Sequence, residues 1–394
     1  MRKIFTLIAV SVLMVLASVA LAVEPIPIGY VGPLTGSVAL LGNEALKGAT
    51  LAAEQINAAG GLLGRPLKIF AADNRCNPAE AVSATRKVIT RDRVVASIGQ
   101  LCSSATLAAM PIYEQEKIPL VVETSTNPLI TVRAGVGGNK WVFRPNLPDD
   151  INAIVFAKMI VDLGGKNVSF LLTNDDWGRG VGTSFKEVVE KEGGKVVSLD
   201  YYEEGETNFL SVLTKIRGLT PTALLIAART ASGAVIMKQY AELGLKVPVF
   251  NQGDMVNEQF VKLVGKDIAK GILGSESWYP GVDDPINKKF EADYVARWGY
   301  DPIEPSAYGY VGMQLIAEAI RVSKSATPEG IRDGLTRINM KTIAGPIKFD
   351  EHNQAWTWVV VAKITDDGRI TTIKQVQVDR PKGYWEEWEK KTKK

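Results

Sequence analysis

After Glu24 the apolar positions fall into two rhythms that take turns along the chain: short unbroken runs, and longer stretches spaced three and four apart. The first pattern predicts strands at residues 27–32, 67–71, 94–98 and 120–123, and the second predicts helices at 42–59, 77–90 and 104–113. Leu46, Ala49, Ala53 and Ile56 mark the buried stripe of the first helix. Asn77 is placed to cap the second, with Pro78 at its first helical position. A turn-rich segment, 143–150, interrupts this rhythm before it restarts. Helices are then expected at 151–163, 180–192, 208–218, 232–243 and 258–264, and strands at 167–172, 196–202, 223–227 and 249–251. Beyond an extended segment at 271–278 come helices at 284–299, 307–323 and 327–336, and hairpin-like alternation at 345–378. Strand and helix alternating at this spacing define an α/β chain with two doubly wound parallel-sheet halves, joined near residue 145.

The N-terminus breaks the pattern. Arg2 and Lys3 precede an apolar run at 4–21, and Ala20-Leu21-Ala22 is a small-x-small cleavage site followed by Val23-Glu24-Pro25. Residues 1–22 therefore read as a cleaved signal peptide rather than a membrane anchor. No Cys stands at the cleavage point to carry a lipid, so an exported protein in a Gram-negative periplasm is expected. No later stretch is long and apolar enough to span a bilayer.

The whole chain of 394 residues has 46 Lys plus Arg against 43 Asp plus Glu. Removing the leader takes two basic residues from the formal charge of +3 and leaves +1. That balance gives no electrostatic reason to expect nucleic acid. Only Cys76 and Cys102 are available as thiols, and in an oxidising compartment an isolated pair is most simply a disulfide. A zinc site is disfavoured, because His352 is the single His of the chain and lies in a polar turn far from both. No other spacing implies a metal or cofactor.

Ligands of doubly wound sheets sit beyond the carboxyl ends of strands, where helix N-termini offer free N–H groups. Two such ends carry runs of hydroxyl residues, Gly99-Gln100-Leu101-Cys102-Ser103-Ser104 and Thr124-Ser125-Thr126-Asn127-Pro128. Together they can hold one carboxylate; equally, each can simply cap its own helix.

The same segments carry a family resemblance. Gly32-Pro33-Leu34-Thr35-Gly36, residues 58–67, Asp73-Asn74-Arg75-Cys76-Asn77-Pro78, Cys102-Ser103-Ser104-Ala105-Thr106 and Ser125-Thr126-Asn127-Pro128 resemble the periplasmic leucine/isoleucine/valine-binding proteins of ABC importers. The likeness covers essentially the whole mature chain. It implies two lobes joined by three crossover segments, with lobe I at 23–143 plus 276–344, lobe II at 144–275 plus 345–380, and a charged tail at 381–394. It also implies a Cys76–Cys102 disulfide beside the binding loop, no cofactor, a small-molecule carboxylate ligand, a membrane ABC permease as partner, and a monomer.

By motif position, Ser103 and Thr126 match the residues that hold an amino acid's carboxylate, with the backbone of Thr124 and Ser125 beside them. Asp254 matches the partner of the ammonium. Trp177 stands where the family often has Tyr, and Trp278 and Leu41 stand where the side-chain pocket is expected. Arg229 departs from the pattern, because Tyr is usual there. It can pair with Asp254, receive a second acidic group of the ligand, or point outward. With Trp177 and Trp278 as stacking surfaces, it opens the alternative of an aromatic carboxylate such as benzoate.

An enzyme is the competing class. Gly178-Arg179-Gly180-Val181-Gly182-Thr183 opens a helix, and Asp200 follows at dinucleotide-site distance, but Thr183 replaces the third glycine and Asp175 and Asp176 would repel a pyrophosphate. No nucleophile elbow, P-loop or zinc-protease motif occurs, so no enzymatic activity is expected. A sensory module on the same fold would continue into a membrane span, and none follows in this sequence.

Overall fold

The computed structural model describes residues 23–392, and the expected signal peptide lies outside the described residues. The first sheet is built from β1 (Ile26–Gly32), β2 (Leu67–Asp73), β3 (Ala96–Gly99), β4 (Leu120–Val122) and β5 (Val142–Phe143). Its order is β2-β1-β3-β4-β5 and every pairing is parallel. The chain reverses its direction of winding between β1 and β3, and such a switch opens a crevice at the carboxyl edge.

The second sheet takes β6 (Asn167–Thr173), β7 (Lys195–Tyr202), β8 (Ala223–Ala227), β9 (Val249–Gln252) and β10 (Leu273–Glu276). After β11 (Met340–Thr342) and β12 (Gly345–Ile347), which form a small hairpin, β13 (Trp358–Ile364) and β14 (Ile370–Gln377) return to it antiparallel. Its order is β14-β13-β10-β9-β8-β6-β7. The central strands β6, β8 and β9 are buried apart from Asn167 at the start of β6, as expected for a sheet covered on both faces.

The chain crosses between the lobes near 143–148, after β10, and near 354–358. The last crossing falls later than 345, because Ile343, Ala344, Ile347, Phe349 and Ala355 still pack in the lobe I core. Likewise β10 belongs wholly to the lobe II sheet, so Glu276 ends lobe II rather than beginning lobe I.

Lobe I is closed by helices Ala39–Ala58 and Glu304–Ser323, which approach closely through small residues. A Cβ on Gly48 would fall 1.8 Å from the Ser306 carbonyl oxygen, and one on Gly309 would fall 1.9 Å from that of Ala45. Asn77 caps its helix as expected, its side chain accepting from the amides of Ala79 and Glu80 behind Pro78. The charged tail folds as helix Tyr384–Thr392 on lobe II. Tyr384 Oη and Trp388 Nε1 both donate to the Asp150 carboxylate at 3.1 Å, and Trp385 stacks on His352. His352 is thereby a packing residue of the turn in which the sequence placed it.

Cys76 and Cys102 form a disulfide, with Cα atoms 5.4 Å apart across a sequence separation of 26. It fastens the loop after β2 to the loop after β3. Replacing both with Ser is expected to cost roughly 3 kcal/mol in urea unfolding. An unchanged midpoint would mean that the crosslink does not constrain the unfolded chain.

Candidate functional site

The carboxyl edges of both sheets face each other across a narrow cavity. Lobe I brings Leu101, Ser103, Thr124, Thr126 and Glu304 to it; lobe II and its crossovers bring Asn152, Trp177, Arg229, Gln252, Gly253, Asp254, Glu276 and Ser277. The lobes touch beside it: the Asp176 amide donates to Ser104 Oγ at 3.1 Å, and Asn127 Nδ2 donates to the Asp176 carbonyl at 2.5 Å.

On the lobe I wall the hydroxyls divide their work. Ser125 Oγ is buried, bonded to Thr106 Oγ1 at 2.6 Å and donating to the Leu101 carbonyl at 2.8 Å, so its side chain ties the two loops together. Ser103 Oγ accepts from the Asn127 amide at 3.2 Å and keeps a donor for the cavity. Thr126 Oγ1 is buried without a well-formed hydrogen bond, with the Asp149 carboxyl nearby. Beneath this loop lies Arg144, 1 % exposed, whose guanidinium donates to the Asn127 carbonyl at 2.8 Å and to Gln354 Oε1 at 2.8 Å. It thus pins the binding loop to two crossover strands. Burial pulls its pKa down to about 10, which leaves it charged at neutral pH.

On the lobe II wall, Arg229 does face the cleft, but it is already occupied. Nη2 meets Asp175 and Nη1 meets Glu204, both at 2.8 Å, and its guanidinium lies 4.8 Å from the Trp177 ring centre. It does not bond Asp254. Trp177 reaches across to Gly253, whose φ of +119° suits glycine and where a Cβ would sit 2.6 Å from the indole.

Asp254 follows β9 with its backbone fixed: its amide donates to the Ala228 carbonyl at 3.2 Å, and its carbonyl accepts from Thr230 and Asn257. Its carboxylate bonds to no other described residue. Oxygens of Asp254, Glu276 and Glu304 lie within 4.8 Å of one another. Burial pushes Asp254 up to about 7 against the opposing pull of Arg229, and burial plus its acidic neighbours pushes Glu304 up to about 8 and Glu276 well up.

Trp278 and Leu41 stand elsewhere. Trp278 is fully buried in the lobe I core, donating from Nε1 to Asn287 Oδ1 at 2.7 Å and packing on Phe290, because the chain turns after β10 and presents Ser277 to the cavity instead. Leu41 packs behind the loop against Val38, Ala81, Leu101 and Cys102. Asn152, Gln252, Glu276 and Glu304 were not singled out from sequence. Gln252 and Glu276 close their strands, β9 and β10, so the strand-end rule applied there as well would have found them.

Two facing sheets with a cleft between their carboxyl edges, walled by hydroxyls on one side and acids on the other, define a two-lobed small-molecule binding protein. The profile describing periplasmic binding proteins matches residues 25–369, and the chain belongs to that family. An amino acid binding protein of Pseudomonas aeruginosa is 29 % identical over 355 residues, covering 89 % of this chain and 92 % of its own. A leucine binding protein from Thermotoga maritima has a TM-score of 0.82 and 25 % identity, over 89 % of this chain and 99 % of its own. An ABC transporter solute binding protein from R. palustris in complex with benzoate also has a TM-score of 0.82, at 18 % identity, over 90 % of this chain and 97 % of its own, a likeness of fold alone. Among the described residues, no helix is long and apolar enough to cross a membrane.

Proposed function

We propose that this chain is the periplasmic solute-binding protein of an ABC importer, that it is not an enzyme, and that it captures an α-amino acid by both charged ends. Ser103, Thr126 and the backbone at Thr124 hold the carboxylate from lobe I, and Asp254 holds the ammonium from lobe II. The observation that carries this reading is the cavity's polarity: hydroxyls with a free donor on one wall, an Asp free of any protein partner on the other. A ligand joining both walls stabilises the closed lobes by its differential affinity, and that form is what a membrane permease would recognise.

The aromatic-carboxylate alternative keeps Trp177 on the cavity wall but has less to rest on in its other two residues. Arg229 is neutralised by Asp175 and Glu204, and Trp278 is a core residue. A benzoate-like acid would also meet Asp254, Glu276 and Glu304 with no charge to offer them.

The test is a thermal-shift titration of residues 23–394, stripped of ligand by unfolding, against amino acids and aromatic acids. Binding to the native state alone raises the midpoint by mass action. A rise with amino acids supports the reading, and a rise only with benzoate-like acids refutes it. Ser103→Ala and Thr126→Ala are each expected to weaken binding by about 1–3 kcal/mol, measured by calorimetry, with little change in unfolding. Unchanged affinity in both would remove the carboxylate site.

A further inference from the structure

One guanidinium and five carboxylates, Glu304 from lobe I and the others from lobe II, gather around one end of the cavity. Arg229 is paired with two of them, Asp175 and Glu204, which leaves Asp254, Glu276 and Glu304 with no cation. Glu304 Oε1 accepts from the Ser277 amide at 2.8 Å, a contact that fixes its direction without neutralising it. Beside these acids, Gln252 lines the same cavity; it is 3 % exposed, and its Oε1 is buried with no hydrogen-bond partner. A buried acceptor without a donor is costly unless a ligand supplies one.

The three acids also line a second, larger space, running between Val256, Tyr279 and Ile303. They therefore form the neck between the two. The basic residues of that space are engaged with their own neighbours, Lys262 with Glu258 at 2.9 Å and Arg369 with Asp367 at 2.6 Å.

Resting on the amino-acid reading above, we infer that the ligand carries a second positive charge: one ammonium meets Asp254, and a cationic side chain reaches the neck formed by Glu276 and Glu304, with Gln252 as an added acceptor. A single ammonium answers one of the three carboxylates. Like charges this close disfavour joint ionisation, so a singly charged ligand leaves the other two neutral or repelling. A basic amino acid such as ornithine, lysine or arginine supplies the second charge, and its length places that charge at the neck.

Proton uptake and release distinguish these cases. Asp254 is faced by Arg229 and Glu204, Glu276 by Asp254 and Glu304, and Glu304 by Asp254, Glu276 and Asp149; Tyr279 stands beside all three. Acids lifted into the range about 7 to 8 hold protons at neutral pH, and a bound cation expels them. Affinity for a cationic ligand therefore rises as pH climbs from 6 to 8.5. The slope of log affinity against pH counts the protons released, so it is steeper for a dication than for a single ammonium and flattens as pH passes the range of these acids.

The experiment is calorimetry of the stripped protein with L-ornithine, L-lysine, L-arginine and L-leucine at several pH values, repeated with Glu276→Gln, and with Glu304→Gln should the first variant not fold. The expected result is binding of at least one basic amino acid more tightly than leucine, with a steeper pH slope. Its affinity should fall about tenfold or more in the variant, and by a larger factor than that for leucine. Tighter binding of leucine with no response to the basic amino acids overturns this inference and leaves the amino-acid reading intact. Binding of no amino acid overturns both. Stabilisation by calcium alone, reversed by a chelator, assigns the acids to a metal and also overturns it.

Discussion

Arg229→Met is expected to destabilise the protein by about 3–5 kcal/mol, the largest effect on folding of any single change in the cleft. The side chain is 5 % exposed, and its two ion pairs are both at 2.8 Å. Removing it strands Asp175 and Glu204 beside a cavity that already holds three other acids. It also leaves the Trp177 face without the guanidinium stacked 4.8 Å from its centre. Two attractions would then be lost and the repulsion between Asp175 and Glu204 left unopposed, which is why the cost exceeds that of an exposed pair, commonly under about 1 kcal/mol. Urea unfolding measures the loss. Adding Asp175→Asn and Glu204→Gln to the variant should restore most of it, since the stranded charges are then gone. A loss below about 1 kcal/mol, or no rescue, would mean that the triad does not hold this wall together.

Much of this architecture was legible in the sequence because it rests on periodicity. The alternation of short apolar runs with helical stretches located the strands of both sheets apart from β5, which fell at the edge of the turn-rich segment, and Asn77-Pro78 announced a helix start that the structure keeps. The crossings between lobes were less legible: the alternation read over 345–378 does not mark where the chain changes lobe, and the place of its first residues in the lobe I core follows from where Ile347, Phe349 and Ala355 pack. At the site, motif position brought Ser103, Thr124, Thr126, Trp177, Arg229 and Asp254 to one cavity. It misplaced Trp278 because side-chain direction after β10 depends on the turn that buries the indole beside Asn287, which no linear pattern encodes. The partner of Arg229 was open for a similar reason. Asp175 and Glu204 lie in loops after β6 and β7, and only the parallel order β8-β6-β7 brings both to Arg229 after β8.

Asp254→Asn should move affinity and stability in opposite directions. For an amino-acid ligand, replacing the carboxylate by an amide of the same shape removes the charge that meets the ammonium, and truncating one partner of a desolvated charge pair costs about 2–5 kcal/mol. Calorimetry should therefore show a greater loss of affinity than in Ser103→Ala, where one neutral hydrogen bond is lost. The unliganded protein behaves differently. Burial raises Asp254 from 3.8 to about 7, with Arg229 pulling it down and Glu204 pushing it up. Both the folded and unfolded chains hold this proton below pH 3.8, so the group contributes nothing to stability there. Between pH 3.8 and about 7 the unfolded chain has released the proton and the folded chain has kept it, so the penalty on folding grows with pH and then levels off. Asn carries no such penalty. The unliganded variant should be the more stable protein at pH 8, by a margin that shrinks as pH falls toward 4. A loss of affinity without that gain would place Asp254 at the ammonium while denying that it is held at a cost. A gain of both stability and affinity would mean that the natural ligand brings no amine to this wall.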